Sequence, residues 1–239
     1  MATINMILQG KGGVGKSLVA STLTQYFLEN GKEVCCVDTD PVNATFAGYK
    51  RFNVTALDIM NGDDIDPRRF DTLVELMLAL PEDSEMVIDN GAATFVPFAS
   101  YLAENNVFQM LQESGYSVNL HTVITGGQAL PDTLNGLRSL LKAFQAPLYV
   151  WLNSYFGQIR SNQKSFEEFI LYKENIDRFA ALIRLPQKKK ETFGRDFEDL
   201  LTARLSFQEG IESELPVMTR QRLRMIWSEF HAEIKASGL

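Results

Sequence analysis

The sequence predicts a three-layer α/β fold: a mostly parallel, doubly wound sheet with helices on both faces. Three observations carry this. Short, continuously apolar runs alternate with segments of helical periodicity along the chain, the order that parallel strands and crossover helices produce. A glycine-rich turn, Gly10 to Ser17, stands between the first apolar run and the first helical segment. Several apolar runs end in a carboxylate or carboxamide, namely Asp38, Asp89 and Asn153, and a parallel sheet gathers such ends along one edge. With 239 residues and 45% hydrophobic content, the chain reads as one domain over residues 1–239, with no internal repeat or linker.

Taken in order, the first strand is Thr3 to Leu8. The first helix runs from Lys16 to Asn30, with Leu18, Val19, Leu23, Tyr26 and Phe27 on its apolar face and Gly31 closing it. Strand two is Glu33 to Asp38, a run apolar enough to be covered on both faces. Val54 to Met60 reads as a short strand followed by an Asn61-Gly62-Asp63 turn, and Pro67 opens a helix to Leu80. Strand three is Glu85 to Asp89, a helix spans Ser100 to Glu113, and strand four is Ser117 to Thr125. Gly126-Gly127 joins it to a helix over Pro131 to Phe144. Strand five is Leu148 to Asn153. Ser165 and Glu168 form a capping box for a helix to Arg178. Strand six is Ala180 to Leu185, followed by helices at Arg195 to Leu205 and Thr219 to Ala236.

A formal charge of −7 gives no general polycationic surface for nucleic acid, although a local basic patch is compatible with it. Cys35 and Cys36 are adjacent in a strand, so they point to opposite faces and read as small buried residues in a reducing compartment. No apolar run is long enough to span a bilayer, and the N-terminus lacks signal-peptide character. The expected location is cytoplasmic, with peripheral contact at the inner membrane left open.

The turn reads Gly-Lys-Gly-Gly-Val-Gly-Lys-Ser and fills the G-x-x-x-x-G-K-S template of a phosphate-binding loop. Its glycines permit positive φ and let backbone N–H groups close on phosphate oxygens. The helix behind it directs its positive end at the same anion. Lys16 is expected on the β- and γ-phosphates and Ser17 on Mg²⁺. The expected cradle is therefore Gly10, Lys11, Gly12, Gly13, Val14, Gly15, Lys16, Ser17 and Leu18. A ligand-free glycine turn is the plain alternative, but the Lys-Ser pair in a strand–turn–helix setting argues against it.

Asp89 suits the Mg²⁺ side of such a site through a metal-bound water, and Asp38 is a second metal-side candidate. Asp40 suits orienting or deprotonating the attacking water, since phosphoryl transfer is mostly positioning. Each is alternatively a cap or turn residue. The N/T-K-x-D element of guanine-specific loops is not found. Asn153, on the same edge, offers adenine a donor and an acceptor, so ATP is the expected nucleotide.

The second lysine at the start of the loop, Lys11, makes Lys-Gly-Gly-Val-Gly-Lys-Ser resemble the deviant Walker A loop of the ParA/MinD superfamily. Asp38-Thr39-Asp40-Pro41 is similar to that superfamily's D-x-D-P segment, Val87-Ile88-Asp89 to its Walker B strand, and Asn153 and Leu185-Pro186 to its base-contacting positions. The resemblance implies a P-loop fold and a slow, partner-stimulated Mg²⁺-dependent ATPase that forms a homodimer around ATP. Lys11 would reach the nucleotide of the opposite subunit, Lys16 the phosphates, Ser17 the metal and Asp40 the attacking water. Asp89 would be the Mg²⁺-side carboxylate, with Asn153 and Pro186 at the base. Four segments, from Asp38 to Phe46, Val87 to Ala92, Thr125 to Leu130 and Met218 to Leu223, resemble a plasmid conjugal-transfer group of the superfamily. This implies partners in conjugation, type IV secretion or DNA transfer. Two departures stand out: Val42-Asn43 follows Pro41 where partition relatives carry Q-G-N, and Asn90-Gly91 follows Asp89 where many relatives carry threonine and proline. Cysteines inside a strand do not match the iron–sulfur or arsenite-binding branches.

The C-terminal segment places Leu223, Ile226, Trp227, Phe230 and Ile234 on one helical stripe with arginines at its start. That fits a closing helix packed on the sheet, a partner contact or a reversible membrane anchor. Lys188-Lys189-Lys190 is a solvated loop or a phosphate-, DNA- or lipid-facing patch. His121 and His231 have no metal-spaced partners and read as structural or surface residues, while Trp151 and Tyr155 flank Asn153 as base-pocket or core residues. Two functions of other classes stay open beside the ATPase: an ATP-dependent positioning module for DNA or a secretion component with little hydrolysis, and a ligase whose carboxylate-substrate pocket is not identified.

Overall fold

A computed structural model describes residues 1–185 and 187–239, and the side chain of Lys190 lies outside that description. The central sheet contains β1 (Thr3–Ile7), β2 (Val34–Asp38), β3 (Thr55–Ala56), β4 (Glu85–Asp89), β5 (Ser117–Thr125), β6 (Leu148–Asn153) and β7 (Phe179–Arg184). Its order is β7-β6-β5-β1-β4-β2-β3, and every pairing in it is parallel. β1 is central, hydrogen-bonded to β4 on one side and β5 on the other. The loop leaving β1 therefore emerges among the carboxyl ends of strands from both halves.

Nine helices surround the sheet among the described residues: α1 (Lys16–Glu29), α2 (Phe70–Leu78), α3 (Phe95–Glu104), α4 (Val107–Glu113), α5 (Leu130–Ala143), α6 (Ile170–Lys173), α7 (Arg195–Thr202), α8 (Phe207–Glu212) and α9 (Val217–Ala236). Strand alternation divides the core in two. Met6, Ile88, Ile124 and Val150 face α2 to α5 in one cluster. Ile7, Val87, Val123 and Trp151 face α1, α8 and α9 in the other. Cys35 packs against the first cluster and Cys36 belongs to the second, as adjacent strand residues must. Burial pushes the Cys36 thiol up to about 12, so it stays protonated.

The departures from the sequence reading have local causes. Val54 to Met60 is not one strand: β3 pairs with β2, then the Asp58 carboxylate accepts the Met60 N–H (3.1 Å) and turns the chain into a hairpin, Met60–Asn61 with Asp64–Ile65. The helix expected at Ser100 to Glu113 begins at Phe95 and breaks at Asn106, whose φ of +51° is left-handed. The capping box at Ser165 and Glu168 is present, but Phe169 returns to extended backbone. Only the one-turn α6 and a 3₁₀ turn at Ile176–Arg178 follow, and Phe166, Tyr172 and Phe179 close an aromatic cluster there. The unpredicted α8 has its own capping box, Ser206 with Glu209.

The stripe of α9 is buried against α1, α7 and β7, so its apolar residues form core. Trp151 is core as well: its Nε1–H donates to His121 Nδ1 (3.1 Å), which leaves His121 Nε2–H to donate to Asn5 Oδ1 (3.2 Å). Full burial lowers the His121 pKa to about 3, so the ring is neutral. His231 lies against Tyr26. Among the described residues, no helix is long and apolar enough to cross a membrane.

Candidate functional site

The glycine-rich turn sits where β1 hands over to α1. Gly13 and Gly15 have φ of +73° and +105°, which an L side chain adopts only with strain. Gly15 is the N-cap of α1, and no side chain caps it, so the first-turn N–H groups are left for a ligand. The loop is braced from below. Asn153 at the end of β6 donates from Nδ2 to Val14 O (2.8 Å) and accepts the Tyr155 N–H at Oδ1 (3.0 Å). A Cβ on Gly10 would lie 2.9 Å from the Phe95 ring, so only glycine fits there.

Lys16 lies almost wholly inside this turn and donates from Nζ to Lys11 O (3.2 Å). Burial lowers its pKa while Asp89 and Asp40 pull it back up. Lys11 takes a different direction: its ammonium pairs with Asp132 Oδ2 at the start of α5 (2.9 Å).

Asp40 and Asp89 line the cavity over this loop, whereas Asp38, expected on the metal side, does not. Asp89, ending β4, is 2% exposed, and its Oδ1 has no hydrogen-bond partner. Burial raises its pKa to about 7; a hydrogen bond from Ser17 and the Lys16 charge lower it, and Asp38 and Asp40 raise it further. Asp38 is equally buried and holds the following loop, accepting the Asp40 N–H at Oδ1 and the Ala47 N–H at Oδ2, both at 2.9 Å. Burial raises its pKa against those two bonds. Asp40 Oδ1 accepts the N–H groups of Val42 (2.9 Å) and Asn43 (3.1 Å).

Residues 90 and 91 acquire a physical reason here. Asn90 Oδ1 accepts from the hydroxyls of Thr39 (3.0 Å) and Thr94 (2.9 Å), joining the ends of β2 and β4. A Cβ on Gly91 would fall 2.8 Å from Asp40 Cγ, so a glycine is what lets the Asp40 loop close on β4. Sequence reasoning did not assign a role to either residue; an Asn-Gly pair following a strand-end aspartate was the available signal.

Two cavities adjoin over the loop and share Gly13, Gly15, Leu18 and Leu201. One, about 460 Å³, is lined by Lys16, Ser17, Asp40, Asn43, Tyr49 and Asp89. The other, about 470 Å³, is bounded by Asn153, Tyr155, Phe156, Leu185, Phe197 and Glu198. The Tyr155 hydroxyl donates to Glu198 Oε1 (2.5 Å) across its wall. Trp151 does not reach this cavity; Tyr155 does. Phe156, Phe197 and Leu201 were not found from the sequence, because they come from unrelated loops and helices. Lys188 pairs with Glu229 and covers the Phe193 ring, and Pro186 lies outside the described residues.

A glycine-rich loop with Lys16 and Ser17 at an uncapped helix start, under a polar-lined cavity joined to a largely apolar one, defines a P-loop nucleotide-binding domain. The chain belongs to the CobQ/CobB/MinD/ParA nucleotide-binding domain family, whose model matches residues 5–212. It is 48% identical over 242 residues to Protein TraL of Escherichia coli, covering all of both chains. It is 28% identical over 225 residues to Protein MobD of Acidithiobacillus ferrooxidans, covering 92% of this chain and 91% of that one. Its fold is similar to that of the MinD cell division protein of Aquifex aeolicus, with TM-score 0.50 and 13% identity over 98% of this chain and 97% of the other. A chain of the Aquifex aeolicus MinC:MinD cell division protein complex gives TM-score 0.53 and 12% identity over 98% of this chain and 96% of that one.

The donor set suits Mg²⁺. Asp89 Oδ1 is a buried oxygen without a partner in the same cavity as the Ser17 hydroxyl. Among the described residues, no three His, Cys, Asp or Glu side chains form a metal cage of their own.

Proposed function

We propose that this chain is a Mg²⁺-dependent ATPase of the ParA/MinD type, a single domain that dimerises around ATP and acts in plasmid conjugal transfer. The observation that carries the reading is the joined groove, with Lys16, Ser17, Asp40 and Asp89 on its polar side and an apolar base cavity on the other. In this reading the backbone of Gly12 to Leu18 binds the phosphates and Lys16 balances their charge. Ser17 and Asp89 would hold Mg²⁺, Ser17 directly and Asp89 through a water, with Asp38 adding charge nearby while bracing the Asp40 loop. The cation draws charge from the γ-phosphate oxygens when bound. Asp40 orients the attacking water and accepts its proton. Asn153 positions the loop and faces the base, and Lys11 reaches the nucleotide of a second copy; Pro186, the other expected base contact, lies outside the described residues. The similarity to TraL supports the conjugal setting; in this reading conjugation or type IV secretion proteins are the partners and the location is cytoplasmic.

ATP turnover and sedimentation with and without ATP, in wild type and Lys16→Ala, test the reading. Loss of both nucleotide binding and turnover is expected; unchanged turnover in Lys16→Ala would remove the site assignment. A second reading, ATP as a structural ligand of a positioning module, is favoured by one observation: Asp40 already holds two backbone N–H groups. ATP-dependent capture of a partner without turnover would select it.

A further inference from the structure

Tyr49 lines the phosphate cavity beside Ser17 and Asp89, yet it is buried almost completely. It stands between two 3₁₀ turns, Phe46–Gly48 and Lys50–Phe52, at the far end of the loop that carries Asp40. Its ring stacks on Phe52, with centroids 5.7 Å apart, and is tilted against Phe46 at 6.5 Å. The backbone around it is pinned as well. Asp38 accepts the Ala47 N–H, and the Tyr49 N–H donates to Phe46 O (3.0 Å). A Cβ on Gly48 would overlap the Arg204 side chain, so glycine is what lets Arg204 close over the turn. A tyrosine held in this way delivers its hydroxyl to one place.

That place is the flank of α1. The hydroxyl is hydrogen-bonded to the Ser21 side chain, and Ser21 Oγ already donates to Leu18 O (3.0 Å), so the phenol is the donor between them. Burial holds the phenol pKa above its ordinary value against that bond, with Asp89 adding to the rise and Arg204 opposing it, so the hydroxyl keeps its proton. Once that proton is given to Ser21, the phenol oxygen can only accept. Asp89 Oδ1, in the same cavity, is an acceptor without a partner. Ser17 stands one helical turn before Ser21 on the same face of α1. A turn is about 5.4 Å, close to the reach from a metal-ligating hydroxyl across one metal-bound water to that water's hydrogen-bond acceptor.

We infer that Tyr49 is a further residue of the metal site, its hydroxyl oxygen accepting a hydrogen bond from a water on Mg²⁺ and so tying nucleotide affinity to the hydrated cation. This rests on the Mg²⁺-nucleotide reading of the cavity. Magnesium gives up its waters reluctantly, and protein acceptors that face those waters fix the cation without displacing them. The packed ring makes such a contact inexpensive, because little side-chain freedom remains to be lost.

Calorimetry of ADP binding to the full chain, in Mg²⁺ and in EDTA, tests the inference without any turnover. Tyr49→Phe keeps the stacked ring and removes only the hydroxyl. It should bind ADP about three- to tenfold more weakly than wild type in Mg²⁺ and within about twofold of wild type in EDTA. Ser21→Ala removes the bond to α1 but leaves the Tyr49 hydroxyl, and should stay within about twofold of wild type in both. Equal losses for Tyr49→Phe in Mg²⁺ and EDTA, or no loss in either, would overturn the inference. So would a Ser21→Ala variant that reproduces Tyr49→Phe, since the hydroxyl would then serve only to anchor its loop. Failure of the reading beneath looks different: wild type itself would bind ADP equally well with and without Mg²⁺.

Discussion

Around the phosphate half of the groove, nearly half of the wall comes from one short stretch between Gly12 and Leu18, with Asp40 and Asp89 beside it. The base half is assembled from residues far apart: Asn153 to Phe156 after β6, Leu185 after β7, Phe197 to Thr202 on α7, and Ile226 and Phe230 on α9. The first half is polar and held by backbone geometry, with left-handed glycines and an uncapped helix end. The second is apolar and held by side-chain packing, with Phe197 stacked on Phe207 at 5.5 Å and tilted against Phe230 at 6.0 Å. The difference teaches where each kind of recognition comes from. Phosphate oxygens need N–H groups and charges at fixed spacing, which a short contiguous segment can supply. A base needs a flat apolar slot, which only the approach of several elements can make.

Four substitutions sharpen or break this division. The largest effect is expected from Lys16→Ala, which removes a charge-assisted contact on the phosphate half. A loss of about 1.5–3 kcal/mol makes ATP binding weaker by about 10- to 150-fold, and tripolyphosphate should weaken alike. Calorimetry that finds tripolyphosphate unaffected would break the assignment of Lys16 to the phosphates.

Asp89→Asn comes next, and its sign depends on what is bound. Burial keeps the native carboxyl protonated up to about 7, whereas in the unfolded chain it ionises at about 4. The native state thus holds the proton more tightly between those values. In EDTA the protein should lose stability as pH rises from about 4 to about 7 and level off above. Asp89→Asn should flatten that slope and raise the melting temperature at pH 8, while weakening Mg²⁺-dependent ATP binding. A melting temperature at pH 8 that drops instead would show that the buried carboxylate is not the source of the slope.

Phe197→Ala addresses the other half. The ring is half-buried, so its loss is expected to cost about 1–3 kcal/mol of stability, below the range for a fully buried phenylalanine. ATP affinity should fall while tripolyphosphate affinity is retained; equal losses for both ligands would mean the two halves are not separable. Smallest is Tyr155→Phe, which removes the hydroxyl that donates to Glu198 at the cavity rim. At the low end of a hydrogen bond's net value, about 0.5 kcal/mol, ATP affinity should change about twofold and protein stability hardly at all. A change above tenfold would make this pair a direct base contact.

Asn153 shows how far legibility reached. Its position at the end of a strand on the ligand edge could be read directly. Its bonds to Val14 O and the Tyr155 N–H, which make it a brace for the phosphate loop, could not. Asn90 and Gly91 were visible only as departures from a pattern. Their use, joining two strand ends and making room for Asp40, depends on β2 and β4 being neighbours, which they are only in the sheet.

The sequence by itself determined the six longer strands, the phosphate loop and the aspartates at strand ends. Each is a local matter of backbone freedom, periodicity and residue type. Tertiary structure alone decided the strand order, the splitting of the helices at Asn106 and Phe169, the base slot and the seating of Lys11 on Asp132. Those depend on which distant surfaces meet, and burial against a partner element outweighs local propensity wherever the two disagree.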